Sequence, residues 1–251
     1  MTALYNEIDP YAVDWLNRLI QAGNIGPGTV DARSIVDVRP DDLAGPKQCH
    51  FFAGIGGWSL ALRLAGWPDD RPCWTASLPC QPYSVGSVAH GGAKGQEDER
   101  HLLPVFIPLV AECRPPIIFG EQVASAIKWG WLDEAFGALE DLGYACGAAV
   151  LPALAVGARH ERKRIYWVAD ARGKGRAGHQ SIERIPLPTQ ETLALYGDPI
   201  AGARRALDGD YSHLLPSDGL SVVMERAALK GYGNAIHPKL AAEFIRAAAD
   251  A

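Results

Sequence analysis

Short apolar runs and stretches of helical period take turns along the first 170 residues, and this alternation leaves few folds open to the chain. Each strand must meet the next after a helix has crossed one face of the sheet. Apolar runs at 49–53, 73–77, 117–119, 145–150 and 165–169 read as strands, and the stretches 59–64, 102–113 and 131–142 carry helical spacing. Near the start, Asp9 stands as N-cap and Pro10 in the first turn. Apolar Ala12, Trp15, Leu16, Leu19 and Ile20 follow, and Gly23 closes about three turns of helix. The fold class expected is α/β, a parallel or mostly parallel sheet with helices on both faces.

Between residues 171 and 224 glycine and proline are scattered and periodicity is weak, so this stretch is read as a small irregular module. A last helix over 238–249, with Leu240, Phe244, Ile245 and Ala248 on one side, is expected to pack back on the main domain. The division expected is a main domain over 1–170, the module over 171–224 and a returning segment over 225–251. No apolar run approaches the roughly 18 residues a membrane span needs, and MTALYNEIDPYAVDW lacks a basic patch followed by an apolar stretch. The chain is therefore expected to be soluble, not exported and without membrane contact. Its five cysteines (Cys49, Cys73, Cys80, Cys113 and Cys146) are odd in number and without CxxC spacing. That pattern suggests neither a disulfide framework nor a zinc site, and fits a reducing compartment. The net charge of −5 argues against coating nucleic acid through bulk charge. A local basic face remains: from Arg159 to Arg184 eight basic residues stand against three acidic ones.

Two segments carry chemistry. In Phe51-Phe52-Ala53-Gly54-Ile55-Gly56-Gly57-Trp58 a strand runs into a glycine turn and a helix, which lets backbone pass close to a ligand and offers free amides to an anion. The spacing differs from the GxGxxG of dinucleotide folds. In Leu78-Pro79-Cys80-Gln81-Pro82-Tyr83-Ser84, two prolines fix a cysteine at the carboxyl end of a strand, where open sheets place their ligands. A thiol held so rigidly suits a nucleophile. The following polar stretch, with Gly86, Gly91, Gly92 and Gly95, has the freedom of a closing lid.

PCQPYS together with FxGxGG resembles the cytosine-5 DNA methyltransferase family. Gly120-Glu121-Gln122-Val123 resembles that family's Glu-Asn-Val tripeptide, His160-Glu161-Arg162-Lys163-Arg164 its Gln-x-Arg-x-Arg element, and Gly233-Asn234-Ala235 its late Gly-Asn element. The resemblance implies a Rossmann-like S-adenosylmethionine methyltransferase sheet, with the irregular module as target-recognition module. It also implies a bacterial or phage enzyme that acts in the cytoplasm as a monomer on double-stranded DNA, with or without a restriction endonuclease counterpart. Carbon 5 of cytosine is a poor nucleophile until a thiolate adds at carbon 6, and Cys80 is the candidate. Glu121 would recognise N3 and the exocyclic amine while partly neutral. Arg164, with Arg162 behind it, would donate to the base carbonyl and the nearby phosphate. The base that removes the carbon-5 proton is not identified by the sequence. The resemblance further implies that Phe52 stacks on adenine and that Gly54, Ile55, Gly56, Gly57 and Trp58 approach the methionine end, helped by Pro79, Asn234 and Ala235. DNA contacts are implied for Gln81, Ser84, Gly86, Lys94 and Arg100 on the lid and for Arg159, Lys163 and Arg172 in the basic run. A tRNA-methylating relative and a DNA-binding homologue without activity are the alternatives.

The order of the pieces departs from the family's. Only one helix and one short strand lie between Trp58 and Pro79, whereas Tyr5-Asn6-Glu7-Ile8-Asp9-Pro10-Tyr11-Ala12 resembles the missing Asn-Glu-x-Asp-x-Tyr-Ala element and Arg33-Ser34-Ile35-Val36 the Gly-Asp-Ile element. An internal permutation is expected, in which the second and third sheet strands come first. Glu7, with Ile8, then faces the ribose. Ser34 stands where an acid usually contacts adenine, so its hydroxyl, the backbone of Ile35 or Asp31 must serve. Gln122 replaces the usual asparagine. With about fifty residues in the recognition module, the target expected is about two to four base pairs, since each base contact needs its own side chain.

Overall fold

The computed structural model describes residues 2–79, 101–158, 162–171 and 235–249. Seven strands among them form one sheet: β1 (Ala3–Asn6), β2 (Gly28–Asp31), β3 (Gln48–Phe51), β4 (Cys73–Ala76), β5 (Ile117–Val123), β6 (Ala145–Pro152) and β7 (Lys163–Asp170), in the spatial order β2-β1-β3-β4-β5-β7-β6. The first five run parallel, whereas β7 lies antiparallel between β5 and β6. No crossover helix separates β6 from β7, only the 3-10 turn Ala153–Val156 and a short loop, so this last pair closes as a hairpin. The mostly parallel α/β sheet read from the sequence is therefore present.

Helices α1 (Pro10–Gln21), α2 (Gly57–Leu64), α3 (Leu103–Cys113), α4 (Trp131–Asp141) and α5 (Pro238–Ala249) cover it. The Asp9 carboxylate accepts from the Tyr11 and Ala12 amides and starts α1, as its place before Pro10 predicts. Arg114, in left-handed conformation at φ 49°, ends α3 just before Pro115-Pro116.

Alternate residues along the strands face two cores. On one face Phe51, Trp74, Ile118 and Trp167 pack against Phe106 and Val110 of α3, Ala135 and Leu139 of α4, and Ile35, Val38 and Leu43 of the β2–β3 connection. On the other, Phe119 and Tyr166 meet Trp58 and Leu62 of α2 and Phe244 of α5, while Tyr5 lies against Leu16 of α1. Helices α1 and α2 thus lie on one face, yet β1–α1–β2 and β3–α2–β4 advance in opposite directions across the sheet, so the two crossovers have opposite hands. The chain reaches β5 from β4 through α3 on the opposite face, which gives that crossover the hand of β1–α1–β2. Right-handed crossovers being nearly universal, β3–α2–β4 is the exception.

Two strands escaped the reading of apolar runs. β1 is buried along its length but only four residues long, and β2 is an edge strand whose residues are none of them buried, so neither shows as an apolar run. The four 3-10 turns among the described residues, Ile35–Asp37, Pro40–Leu43, Ala124–Trp129 and Ala153–Val156, had no periodic signal either.

Candidate active site

The carboxyl ends of β1, β3, β4 and β5 line one edge of the sheet, and β7, running the other way, begins there. Glu7 and Ile8 follow β1, Phe52 to Trp58 follow β3, Pro79 follows β4, Glu121 lies near the end of β5, and Arg162 to Arg164 stand at the start of β7. The connections from β1 and β3 leave in opposite directions, and between two such strands an open α/β sheet has its crevice.

The crevice is closed by a single carboxylate. Glu7, directly after β1, accepts from the Gly54 amide at 2.7 Å through Oε2 and from the Asp9 amide at 2.9 Å through Oε1. Each oxygen retains a second acceptor direction for a ligand hydroxyl. The turn itself is tight: Phe52, Gly54 and Gly56 have φ of 53°, 54° and 81°. A Cβ on Gly54 would meet nothing within 4 Å, so this glycine faces open space. A Cβ on Gly57 would lie 2.7 Å from Cγ1 of Ile236, so there the missing side chain makes room for the returning segment. Phe52 and Ile55 are half-buried, and Ile8 is exposed at the lip.

Two of the residues expected at a cofactor have their side chains elsewhere. Trp58 is buried in the core against Phe119 and Tyr166, and its indole N–H donates to Ser77 Oγ at 2.9 Å. Ile35 is likewise in the core, so each could meet a ligand only through its backbone. Of the three groups considered for the adenine edge, Asp31 is held by Arg33 at 2.7 Å, a hydrogen bond that keeps its carboxyl below the usual range. The half-buried Ser34 has a hydroxyl with no cap bond, and its carbonyl accepts from Asp37. The buried Asn6, which stands in the N-terminal motif but was given no role there, donates to the carbonyls of Arg33 at 2.8 Å and Asp31 at 3.3 Å. It holds the exit of β2 beside Glu7. Its place as the asparagine of that motif, next to Glu7, was the signal available.

The second cluster lies at the β5–β7 end. Glu121, 8% exposed, pairs with Arg164 Nε at 2.9 Å. Burial pushes its carboxyl above the ordinary value, opposed by Arg164 and Arg162. Gln122 is buried, accepts from the Val123 amide at 2.9 Å and points its amide nitrogen at the Leu78 carbonyl, 3.5 Å away. It therefore braces the segment that carries half-buried Pro79 toward Cys80. Arg162, at φ 27°, donates to the carbonyl of Ala235 at 2.8 Å and ties the returning segment to β7, while Lys163 is exposed. Gly120 is fixed by packing, since a Cβ there would fall 2.0 Å from the Trp167 ring.

Cys80, Gln81, Ser84, Gly86, Lys94, Arg100, Arg159, Arg172 and Asn234 lie outside the described residues, as does nearly all of 171–224. The other four cysteines are poor nucleophiles. Burial pushes the thiols of Cys49 and Cys146 up to about 12 and raises those of Cys73 and Cys113 as well. No group of side chains that could hold a metal ion occurs among the described residues, and none of their helices is long and apolar enough to cross a membrane.

A family model described as C-5 cytosine-specific DNA methylase matches residues 68–196, a span that takes in β4 to β7 and the PCQPYS, GEQV and RHERKR segments. The chain is 29% identical over 154 residues to the type II methyltransferase M.AplI of Arthrospira platensis, covering 47% of this chain and 44% of that protein. It is 28% identical over 173 residues to the type II methyltransferase M.HhaI of Haemophilus parahaemolyticus, covering 53% and 52%. The matches thus span about half the length of these curated relatives. Among solved structures, the methyltransferase EhMeth of Entamoeba histolytica superposes with a TM-score of 0.48 at 14% identity, covering 71% of this chain and 47% of that one.

Proposed function

Because the chain belongs to the C-5 cytosine-specific DNA methylase family, we propose that it methylates carbon 5 of a cytosine turned out of double-stranded DNA, through a covalent adduct between Cys80 and carbon 6. The observation that carries this is the buried Glu121–Arg164 pair at the same sheet edge as the Glu7–Gly54 crevice, with the Leu78–Pro79 exit to Cys80 braced by Gln122. S-adenosylmethionine would supply an electrophilic methyl group when bound. Glu7, with a second acceptor direction on each oxygen, would hold its ribose, Phe52 and Ser34 its adenine, and the open backbone at Gly54 its amino-acid end.

The Cys80 thiolate adds to carbon 6, and the ring's electrons move toward carbon 5. Glu121, its carboxyl raised by burial, shares a proton with N3, while Arg164 fixes the carboxylate orientation and donates to the base carbonyl. Carbon 5 takes the methyl group; loss of its proton to a base then re-forms the double bond and expels the sulfur. Extruding the base costs a few kcal/mol, least where the pair is already weak. Residues 171–224 read a short target of about two to four base pairs, the division at 170 and 225 follows from that role, and the chain acts as a monomer.

We also propose that the chain is internally permuted. Two observations support it: β1 and β2 precede β3 in sequence yet lie outside it, next to the Glu7–Gly54 contact, and the family match begins only after α2.

Duplex DNA containing 5-fluorocytosine, offered with labelled S-adenosylmethionine, tests the mechanism. A labelled, denaturation-resistant complex is expected with the natural chain and none with Cys80→Ala. Labelled product on tRNA but not duplex would move the substrate to RNA, and cofactor binding without any adduct would make the chain an accessory protein.

A further inference from the structure

The 3-10 segment Ala124–Trp129 leaves β5 two residues after Gln122, at the ligand edge, and packs on α4 and on the start of β7. It is anchored by buried Ala126 and closed by the Gly130 amide, which donates back to the Ala126 and Ile127 carbonyls. A rigid turn so anchored presents Ile127, Lys128 and Trp129 to solvent, with Ile127 45% and Trp129 47% exposed. Among the described residues, Lys128 has no ion pair and Trp129 no ring partner. A tryptophan and a lysine on a stiff turn thus leave apolar surface exposed that no described residue covers.

We propose that Lys128 and Trp129 form a contact surface for the DNA strand that carries the target base, the ammonium on a phosphate and the indole against an unstacked base or sugar. This rests on the proposed substrate. Three features favour nucleic acid: the unpaired positive charge, the flat aromatic beside it, and the position six and seven residues beyond Gln122, on the turn that follows the strand holding Glu121 at the expected base pocket. Phosphate contacts set register while stacking holds a displaced base, and one cation beside one aromatic supplies both.

The test measures binding of fluorescein-labelled mixed-sequence duplex to the full chain from 50 to about 300 mM salt, together with steady-state methylation, for Lys128→Ala, Lys128→Arg, Trp129→Ala and Trp129→Phe. Both side chains being exposed, the melting temperatures should match that of the natural chain. Lys128→Ala should weaken binding and lower the slope of log affinity against log salt by about one, with Lys128→Arg restoring it. Trp129→Ala should weaken binding roughly ten-fold with little change in that slope, and Trp129→Phe should recover most of the loss. An unchanged slope with a lower kcat would show that the turn instead meets the 80–100 segment of this same chain, and full activity in all four would show an idle surface; either overturns the proposal. A natural chain that neither binds nor methylates duplex would overturn the substrate instead, which is a different result.

Discussion

Glutamine at position 121 would keep the shape of the side chain and remove the proton it exchanges. Glu121→Gln is therefore expected to lower kcat by about 10²–10⁴-fold, checked by single-turnover methylation at saturating cofactor. The same change has a stability signature. Burial raises this carboxyl above 4.5 in the folded chain, so the folded state binds a proton more tightly than the unfolded chain does. Stability is fully present below about 4.5, the ordinary value, and is lost as pH rises through the shifted one. The stability of Glu121→Gln relative to the natural chain should therefore improve from pH 4 upward, as read by urea midpoints. A pH-independent difference would mean that Arg164 fully compensates the burial. Position 121 was legible in the sequence because its neighbours form a motif; Asn6 also stands in a quoted motif, but its role was not legible, because the carbonyls it holds are known only once β2 is in place beside it.

At the scale of elements, the glycine turn joins three pieces of chain. Gly57 opens α2, makes room for Ile236 before α5, and through Ala235 is linked to Arg162 at the head of β7. Gly57→Ala should cost about 1–3 kcal/mol through overpacking, read by urea unfolding, and should raise the KM for the methyl donor. Adding Ile236→Ala to Gly57→Ala should recover part of both effects, because the two side chains compete for one space. α1 was readable from its cap, its proline and its apolar spacing, and α5 from spacing alone, since both signals are local. β2 entered only through the expected permutation and not through apolar contrast, because an edge strand with no buried residue lacks the contrast that marks its neighbours. The antiparallel β6–β7 pair was read as two strands without direction, which depends on what joins them rather than on their composition. The direction of the Trp58 side chain was not legible for a related reason: a tryptophan after a glycine turn looks the same whether it faces a ligand or, as here, the core.

For the molecule as a whole, the sheet centre carries a histidine whose burial disfavours its protonated form. His50 is buried, stacks on Tyr5 with ring centroids 4.8 Å apart and shares a 2.8 Å hydrogen bond with Thr75, so it joins β1, β3 and β4. Burial pushes its pKa down to about 3, against a weak opposing pull from Asp69. Between the ordinary value of 6.5 and that depressed one, the unfolded chain holds a proton the folded chain lacks, so stability falls as pH drops through this window. The slope from this one group approaches about 1.4 kcal/mol per pH unit. His50→Gln should flatten the urea midpoint between pH 6.5 and 4.5, and an equally steep decline in that variant would assign acid sensitivity elsewhere.

The odd-handed β3–α2–β4 crossover carries a consequence for the gene. If residues 1–47 were spliced in after α2, β3 would lead to β1 and β2 to β4, and every crossover would take the common hand without displacing a strand. Glu7 and Gly54 would still meet, because their contact depends on which strands are neighbours and not on which is translated first. The Glu7–Gly54 crevice would therefore pass unaltered between the two chain orders.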